Sequence, residues 1–211
     1  MRLTLDHMIS GREGLGLHEP LDIVLQGGEG LVIRGPNGVG KTTLLRSLAG
    51  FLPVVSGSFT FDGTTPTDEA TSFLGHAPGL KDHLSPRETL SFWQRFFGNK
   101  VAEDLLKVMG IDHVADQRVS TLSAGQRRRL GVARLLVEDR PVWLLDEPTT
   151  ALDQEGRDLL ARVIAGHLNA GGCAIIATHE PAFMDQLPVV HLTRVRQKPL
   201  SDPFLAAELA T

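Results

Sequence analysis

At 211 residues, 42% hydrophobic and 22% charged, the chain has the size and composition of one fully cored domain, and disorder is excluded. A net charge of −4 argues against nucleic acid as the main partner, because such domains carry a basic face. The single cysteine, Cys173, rules out an intrachain disulfide; no opening segment reads as a signal peptide and no run of about 20 apolar residues spans a bilayer, so any pore this chain serves is expected in other chains.

The first 30 residues read as antiparallel strands: Leu3 and Leu5, then Leu21, Ile23 and Leu25, alternate with other residues. Leu31-Val32-Ile33 is instead continuously apolar, the pattern of a strand buried on both faces of a parallel sheet. A helix carrying Leu44, Leu45 and Leu48 follows, and Ser56 to Gly63 reads as another strand bounded by turn residues. From about Pro78 to Arg140 the pattern turns helical. Ser85-Pro86-Arg87-Glu88 places a cap, a helix-opening proline and a reciprocal acid at capping-box spacing. Leu90, Trp93, Phe96 and Phe97 recur at helical spacing and are expected mostly in the core, with Gly98 ending the helix. A second helix is expected from near Ala102 to Met109, stopped by Gly110, and a third from Ser123. Val142 to Leu145 and Ala174 to Ala177 are two more buried-strand runs. Such strands alternating with helices predict an α/β fold with a mixed-sheet core, an antiparallel β part and an inserted α-helical lobe. Residues 1–211 are expected to form a single domain, its core at about 1–77 and 141–211 and its helical lobe at about 78–140.

Gly35-Pro36-Asn37-Gly38-Val39-Gly40-Lys41-Thr42 fits G-x-x-x-x-G-K-[ST] at every position, between an apolar strand and an amphipathic helix. The glycines let backbone N–H groups turn inward around an anion, and the helix N-terminus adds partial positive charge. That predicts a nucleoside triphosphate site, with Thr43 completing the set of contacts. Lys41 is expected to neutralise the β- and γ-phosphates and Thr42 to ligate Mg²⁺. The apolar run 142–145 ends in Asp146 and Glu147. A carboxylate at that edge of a parallel sheet lies beside the phosphate loop, so Asp146 is expected on Mg²⁺ and Glu147 as base for the attacking water.

Leu122-Ser123-Ala124-Gly125-Gln126 opens a helix whose next residues, Arg127-Arg128-Arg129, read as a solvated basic face. Its place between the phosphate loop and the acidic strand is the order found in one family. The chain resembles the ATP-binding cassette (ABC) ATPases, a P-loop NTPase family, over almost its full length, with Ala124 in place of the first glycine of the signature LSGGQ. The resemblance implies further roles. Thr150-Ala151-Leu152-Asp153 resembles the D-loop, and Asp153 joins Ser123, Ala124, Gly125 and Gln126 as an ATP contact made in trans. Thr178-His179 resembles the switch histidine, with His179 bonded to the γ-phosphate or the attacking water. A head-to-tail homodimer with two ATP at its interface follows. The physics agrees, since the Ser123 helix N-terminus can supply positive dipoles to the transition state.

Two positions depart from the family pattern. Residues 1–30 hold no Phe, Trp or Tyr to stack on adenine, which leaves Arg12 or His18 as candidates. His76 stands where the Q-loop glutamine is usual, and an imidazole there can bond water or ligate Mg²⁺. The segment LGHAPGLKDHLSPRETLSFW is similar to the ATPase family of cytochrome c maturation, the CcmA-type heme exporter subunits, which also carry LGH there. That resemblance implies a catalytic role for His76 beside Glu147 and His179. It also implies a peripheral protein on the cytoplasmic face of the bacterial inner membrane, bound to polytopic membrane subunits and tied to heme supply to a periplasmic chaperone. Docking is expected on His76 to Leu84 and the start of the helix after Ser85, with Pro78, Leu80 and Lys81 as exposed contacts on a loop. The chain ends about thirty residues past His179, room for a last helix and strand. Alternative readings are the ATPase of another small-substrate ABC transporter, a soluble ABC protein, and a P-loop kinase. The last lacks the LSAGQ and Thr178-His179 elements.

Overall fold

The computed structural model describes residues 1–62, 70–98 and 105–194. The expected strand end at Gly63, the helix start at 102–104 and everything beyond 194 lie outside them. In chain order the elements are β1 (Arg2–Arg12), β2 (Leu15–Gly16), β3 (Leu21–Gln26), β4 (Gly30–Arg34), α1 (Lys41–Leu48), β5 (Val54–Phe61) and β6 (Thr71–Leu74). Then come α2 (Pro86–Phe97), α3 (Leu105–Val108), α4 (Ala124–Glu138), β7 (Val142–Asp146), α5 (Gln154–Asn169), β8 (Cys173–Ala177) and β9 (Val189–His191).

The strands form two sheets. One is antiparallel, with β1 between β3 and β5 and with β2 on its far end. The other is parallel, in the order β6-β7-β8-β4-β9. The continuous apolar runs are explained by the pleat of this second sheet, because successive side chains leave on opposite faces. Trp143, Leu145, Ala174 and Ile176 face one core, built with α4, α5 and the helical lobe. Val142, Leu144, Ile175 and Ala177 face another, built with α1 and the antiparallel sheet. Each large side chain so buried contributes about 1.5–3 kcal/mol, on both faces at once. The fold is therefore α/β with an antiparallel part and an inserted helical segment, as the alternation of patterns predicts.

The helix signals act as expected. Ser85 Oγ accepts from Glu88 N at 3.2 Å while Glu88 Oε2 accepts from Ser85 N at 2.8 Å, with Pro86 in the first turn. Gly98 closes α2 in the left-handed conformation, φ 71°.

The aromatic stripe on α2 departs from expectation at Phe96. Leu90 is buried, but Phe96 is 68% exposed and Phe92 43%. Leu90, Trp93 and Phe97 lie on the helix face turned toward the protein, whereas Phe92 and Phe96, one turn apart, share the neighbouring face. Arg134 and Arg140 sit over Trp93 and Phe97, with centroid distances of 5.7 and 5.0 Å. One helix face buries one stripe, and five apolar side chains make a wider band than α2 can cover.

Candidate nucleotide site

The strand β4 delivers the chain to Gly35, and the loop 35–40 returns it into α1. Gly35 and Gly40 have φ of 146° and 110°. A Cβ on Gly35 would come within 2.9 Å of Leu192 O, and one on Gly40 within 3.0 Å of Leu17 Cβ, so no side chain fits at either place. Val39 is fully buried and packs beneath the loop, while Pro36, Asn37 and Gly38 stay on its exposed rim. No side chain caps α1 and no acid occupies its first turn. Its leading N–H groups therefore face the cleft as an anion site.

Lys41 Nζ donates to Gly35 O at 2.9 Å and Pro36 O at 3.3 Å, which holds the ammonium over the loop. Thr43 is buried behind it. Thr42 Oγ1 donates to Asp146 Oδ2 at 2.9 Å. Two oxygen donors so close, at the end of a buried strand, suit a hard cation such as Mg²⁺. Burial pushes the Asp146 carboxyl up; the Thr42 hydroxyl opposes that, the Glu147 charge adds to it, and Arg46 and Arg128 oppose it. Glu147 has φ 47°, in the left-handed region uncommon for a side chain of its size. Its N–H donates to Ala177 O at 2.8 Å. Its Oε2 lies 2.8 Å from His179 Nδ1 and accepts from His179 N at 3.3 Å. Phosphate loop, both carboxylates, Arg12 and Leu17 together enclose an open cleft of about 460 Å³.

The signature lies elsewhere, in a second cleft of about 490 Å³ that also holds His113, Arg129 and Asp153. Ser123 Oγ accepts from Gln126 N at 3.2 Å and Gln126 Oε1 accepts from Ser123 N at 2.9 Å, a reciprocal cap on α4. Asp153 caps α5 by accepting from Gly156 N at 2.9 Å and pairs with Arg129 Nη2 at 3.1 Å. A Cβ on Gly125 would come within 2.9 Å of Ala151 O, so the D-loop backbone lies directly against the signature. Ala124 remains exposed at the helix start.

A family model described as ABC transporter matches residues 18–150. The chain is 47% identical over 186 residues to the cytochrome c biogenesis ATP-binding export protein CcmA of Nitrobacter winogradskyi, covering 86% of this chain and 93% of that one. It is 42% identical to the protein so described in Paracoccus denitrificans, over 98% and 92% of the two chains. The chain belongs to the CcmA family of ABC transporter ATP-binding proteins. As an ABC-type ATPase it binds ATP. Its fold matches a putative ABC transporter ATP-binding protein from Pyrococcus furiosus with a TM-score of 0.79 at 23% identity, over 91% and 98% of the two chains. No helix among the described residues is long and apolar enough to cross a membrane.

Three residues stand where the family pattern did not place them. His18 is not free to pack on adenine, for it is fully buried. Its Nδ1 lies 2.8 Å from Glu19 O and its Nε2 2.7 Å from Ser10 Oγ, so both ring nitrogens are occupied behind the phosphate loop. Arg12 and Leu17 line the cleft in its place. His76 is outside both clefts, in a hollow with Pro78, Ala124, Arg127 and Thr150. Leu80, expected to be exposed, is half-buried and packs on the core.

Arg128 is the residue the sequence reading missed. Expected in solvent, it is 3% exposed and burial pushes its guanidinium down to about 10. Its only sequence signal was register: it precedes the buried Gly131, Val132 and Leu135 by three, four and seven residues on one helix face.

Proposed function

We propose that this chain is the ATP-hydrolysing subunit of an export complex for cytochrome c biogenesis, and that its turnover powers heme delivery to a periplasmic heme chaperone. The chemistry rests on one observation, the Thr42–Asp146 and Glu147–His179 pairs meeting at the mouth of the phosphate loop. The assignment to this process is supported by the 47% identity to a cytochrome c biogenesis export protein.

In this reading Lys41 and the first N–H groups of α1 hold the β- and γ-phosphates, with Gly35 to Gly40 shaping the loop. Thr42 and Asp146 would hold Mg²⁺, which when bound draws charge from the phosphate oxygens. Glu147 accepts the proton of the attacking water at Oε, and His179 orients that carboxylate through its ring. Positive dipoles on the far side of the γ-phosphate come from Ser123, Ala124, Gly125 and Gln126 of a second copy, with Asp153 ordering the D-loop between them. His76 replaces the Q-loop glutamine and reports partner docking to the site.

The membrane association is through polytopic partner subunits on the cytoplasmic face of the inner membrane. The exposed face of Phe92 and Phe96 supports a protein partner over the helical segment. Purification of the tagged chain from native membranes, with mass identification of bound proteins, tests this. Partners of cytochrome c maturation are expected; the membrane subunits of an unrelated transporter would overturn it.

A further inference from the structure

Among the described residues the guanidinium of Arg128 is hydrogen-bonded to four backbone carbonyls and to no carboxylate. Nε donates to Pro148 O at 2.9 Å and Nη1 to Gly75 O at 2.6 Å. Nη2 donates to the carbonyls of Asp146, at 2.9 Å, and Glu147. The planar fork matches oxygens that a lysine ammonium would reach one or two at a time. These carbonyls belong to two segments with different duties. Asp146 to Pro148 continue the strand that carries the reactive carboxylates, and Gly75 immediately precedes His76.

A second contact ties the same helix face to the same segment. A Cβ on Gly131, one turn after Arg128, would lie 2.7 Å from Pro78 Cβ and 3.0 Å from Leu74 Cδ1. The helix α4 therefore seats the stretch Leu74–Pro78, by a hydrogen bond to the Gly75 carbonyl and by close packing against Leu74 and Pro78. Glu147, meanwhile, sits in the left-handed conformation, which persists only where surroundings over-determine it. Its carbonyl receives Arg128 and the Thr150 N–H, its own N–H is held by Ala177 O, and its carboxylate meets His179.

We propose that Arg128 is a positioning residue for hydrolysis, a buried clamp that holds the Glu147 backbone and links it rigidly to the segment carrying His76. Movement of that segment is passed to the catalytic carboxylate through the guanidinium, inside one chain. Arg128 does not line the phosphate-loop cleft, so its loss acts on the reaction step and not on nucleotide capture. The inference rests on the reading of Glu147 as the base.

The test compares turnover and ATP affinity in Arg128→Ala, Arg128→Lys and Gly131→Ala of the purified full chain. Misplacing a reacting group by about 1 Å costs on the order of 10²-fold in rate. In Arg128→Ala, kcat is expected to fall roughly 10–100-fold while affinity for ATP stays within about twofold. Guanidinium ion below denaturing concentration is expected to restore part of that rate, and to restore none to Glu147→Gln. Arg128→Lys should fall between. Gly131→Ala displaces Leu74–Pro78 without touching either charged group and should lower kcat alone. If Arg128→Ala does not fold, the other two variants decide. Unchanged kcat, or equal losses of kcat and affinity in all of them, overturns the clamp. Near-normal turnover in Glu147→Gln defeats the base assignment itself, whereas normal turnover in the Arg128 and Gly131 variants beside an inactive Glu147→Gln defeats only the clamp.

Discussion

The phosphate-loop cleft and the signature cleft differ in what their residues offer a ligand. The phosphate-loop cleft holds an ammonium, two carboxylates and an uncapped helix N-terminus. The signature cleft, of similar volume, holds a capped helix start, an imidazole and an Arg129–Asp153 pair, with no phosphate loop. In the proposed reading the first grips a triphosphate and moves a proton. The second offers dipoles and shape, and its own side chains are tied up in caps. The proposed reading places the second against the first of another copy.

The sharpest way to separate the two clefts is Glu147→Gln. It keeps shape and removes the base, so ATP should still bind while hydrolysis falls by roughly 10²–10⁴-fold. Near-normal phosphate release in a steady-state assay would end the assignment. Next is Lys41→Ala, which removes the charge from the grip. Hydrogen bonds to charged groups contribute about 1.5–3 kcal/mol, so nucleotide affinity should drop roughly 10–100-fold by titration calorimetry. Retained affinity would mean that the loop backbone alone binds the phosphates.

A smaller effect tests whether the two clefts meet. Ser123→Arg blocks the signature cleft and Lys41→Ala cripples the other. Mixing the two variants should rebuild one intact site per mixed dimer and restore part of the turnover. Activity no higher than either variant alone would keep both functions within one chain.

The smallest effect concerns what stands behind the first cleft. His18 backs the phosphate loop, and burial holds its pKa below the usual histidine value of 6.5, opposed by its bond to the Glu19 carbonyl. In the unfolded chain it titrates near about 6.5, so as pH falls through that value the unfolded state takes up a proton the folded state resists, and stability is lost. His18→Phe removes that dependence along with the bonds to Ser10. Its Tm deficit against the wild type should be largest near about pH 8 and narrow toward about pH 5.5. A constant deficit would show that His18 titrates freely in the folded protein.

Local signals were the ones legible in the sequence. The eight positions from Gly35 to Thr42, the acids ending an apolar run, and the caps at Ser85 and Ser123 depend on neighbours within a few residues. Spacing alone carries them, because helix starts and tight loops are set by backbone groups three or four positions apart. The continuous runs at 31–33, 142–145 and 174–177 also determined a doubly covered sheet, since nothing else buries every residue of a strand.

What the tertiary structure alone decided is where ambiguous side chains go. In sequence, Arg127, Arg128 and Arg129 are three equal cations, but α4 is covered on nearly every side, and the carbonyls at the end of β7 draw in the middle one. His18 could have faced a base, and is sealed away because Ser10 lies opposite it across the turn between β1 and β3. Phe96 could have been core, and is exposed because no described element covers that side of α2. Each outcome depends on which surface comes from residues far along the chain, and burial of a polar or aromatic group is fixed by those partners, not by its own neighbours.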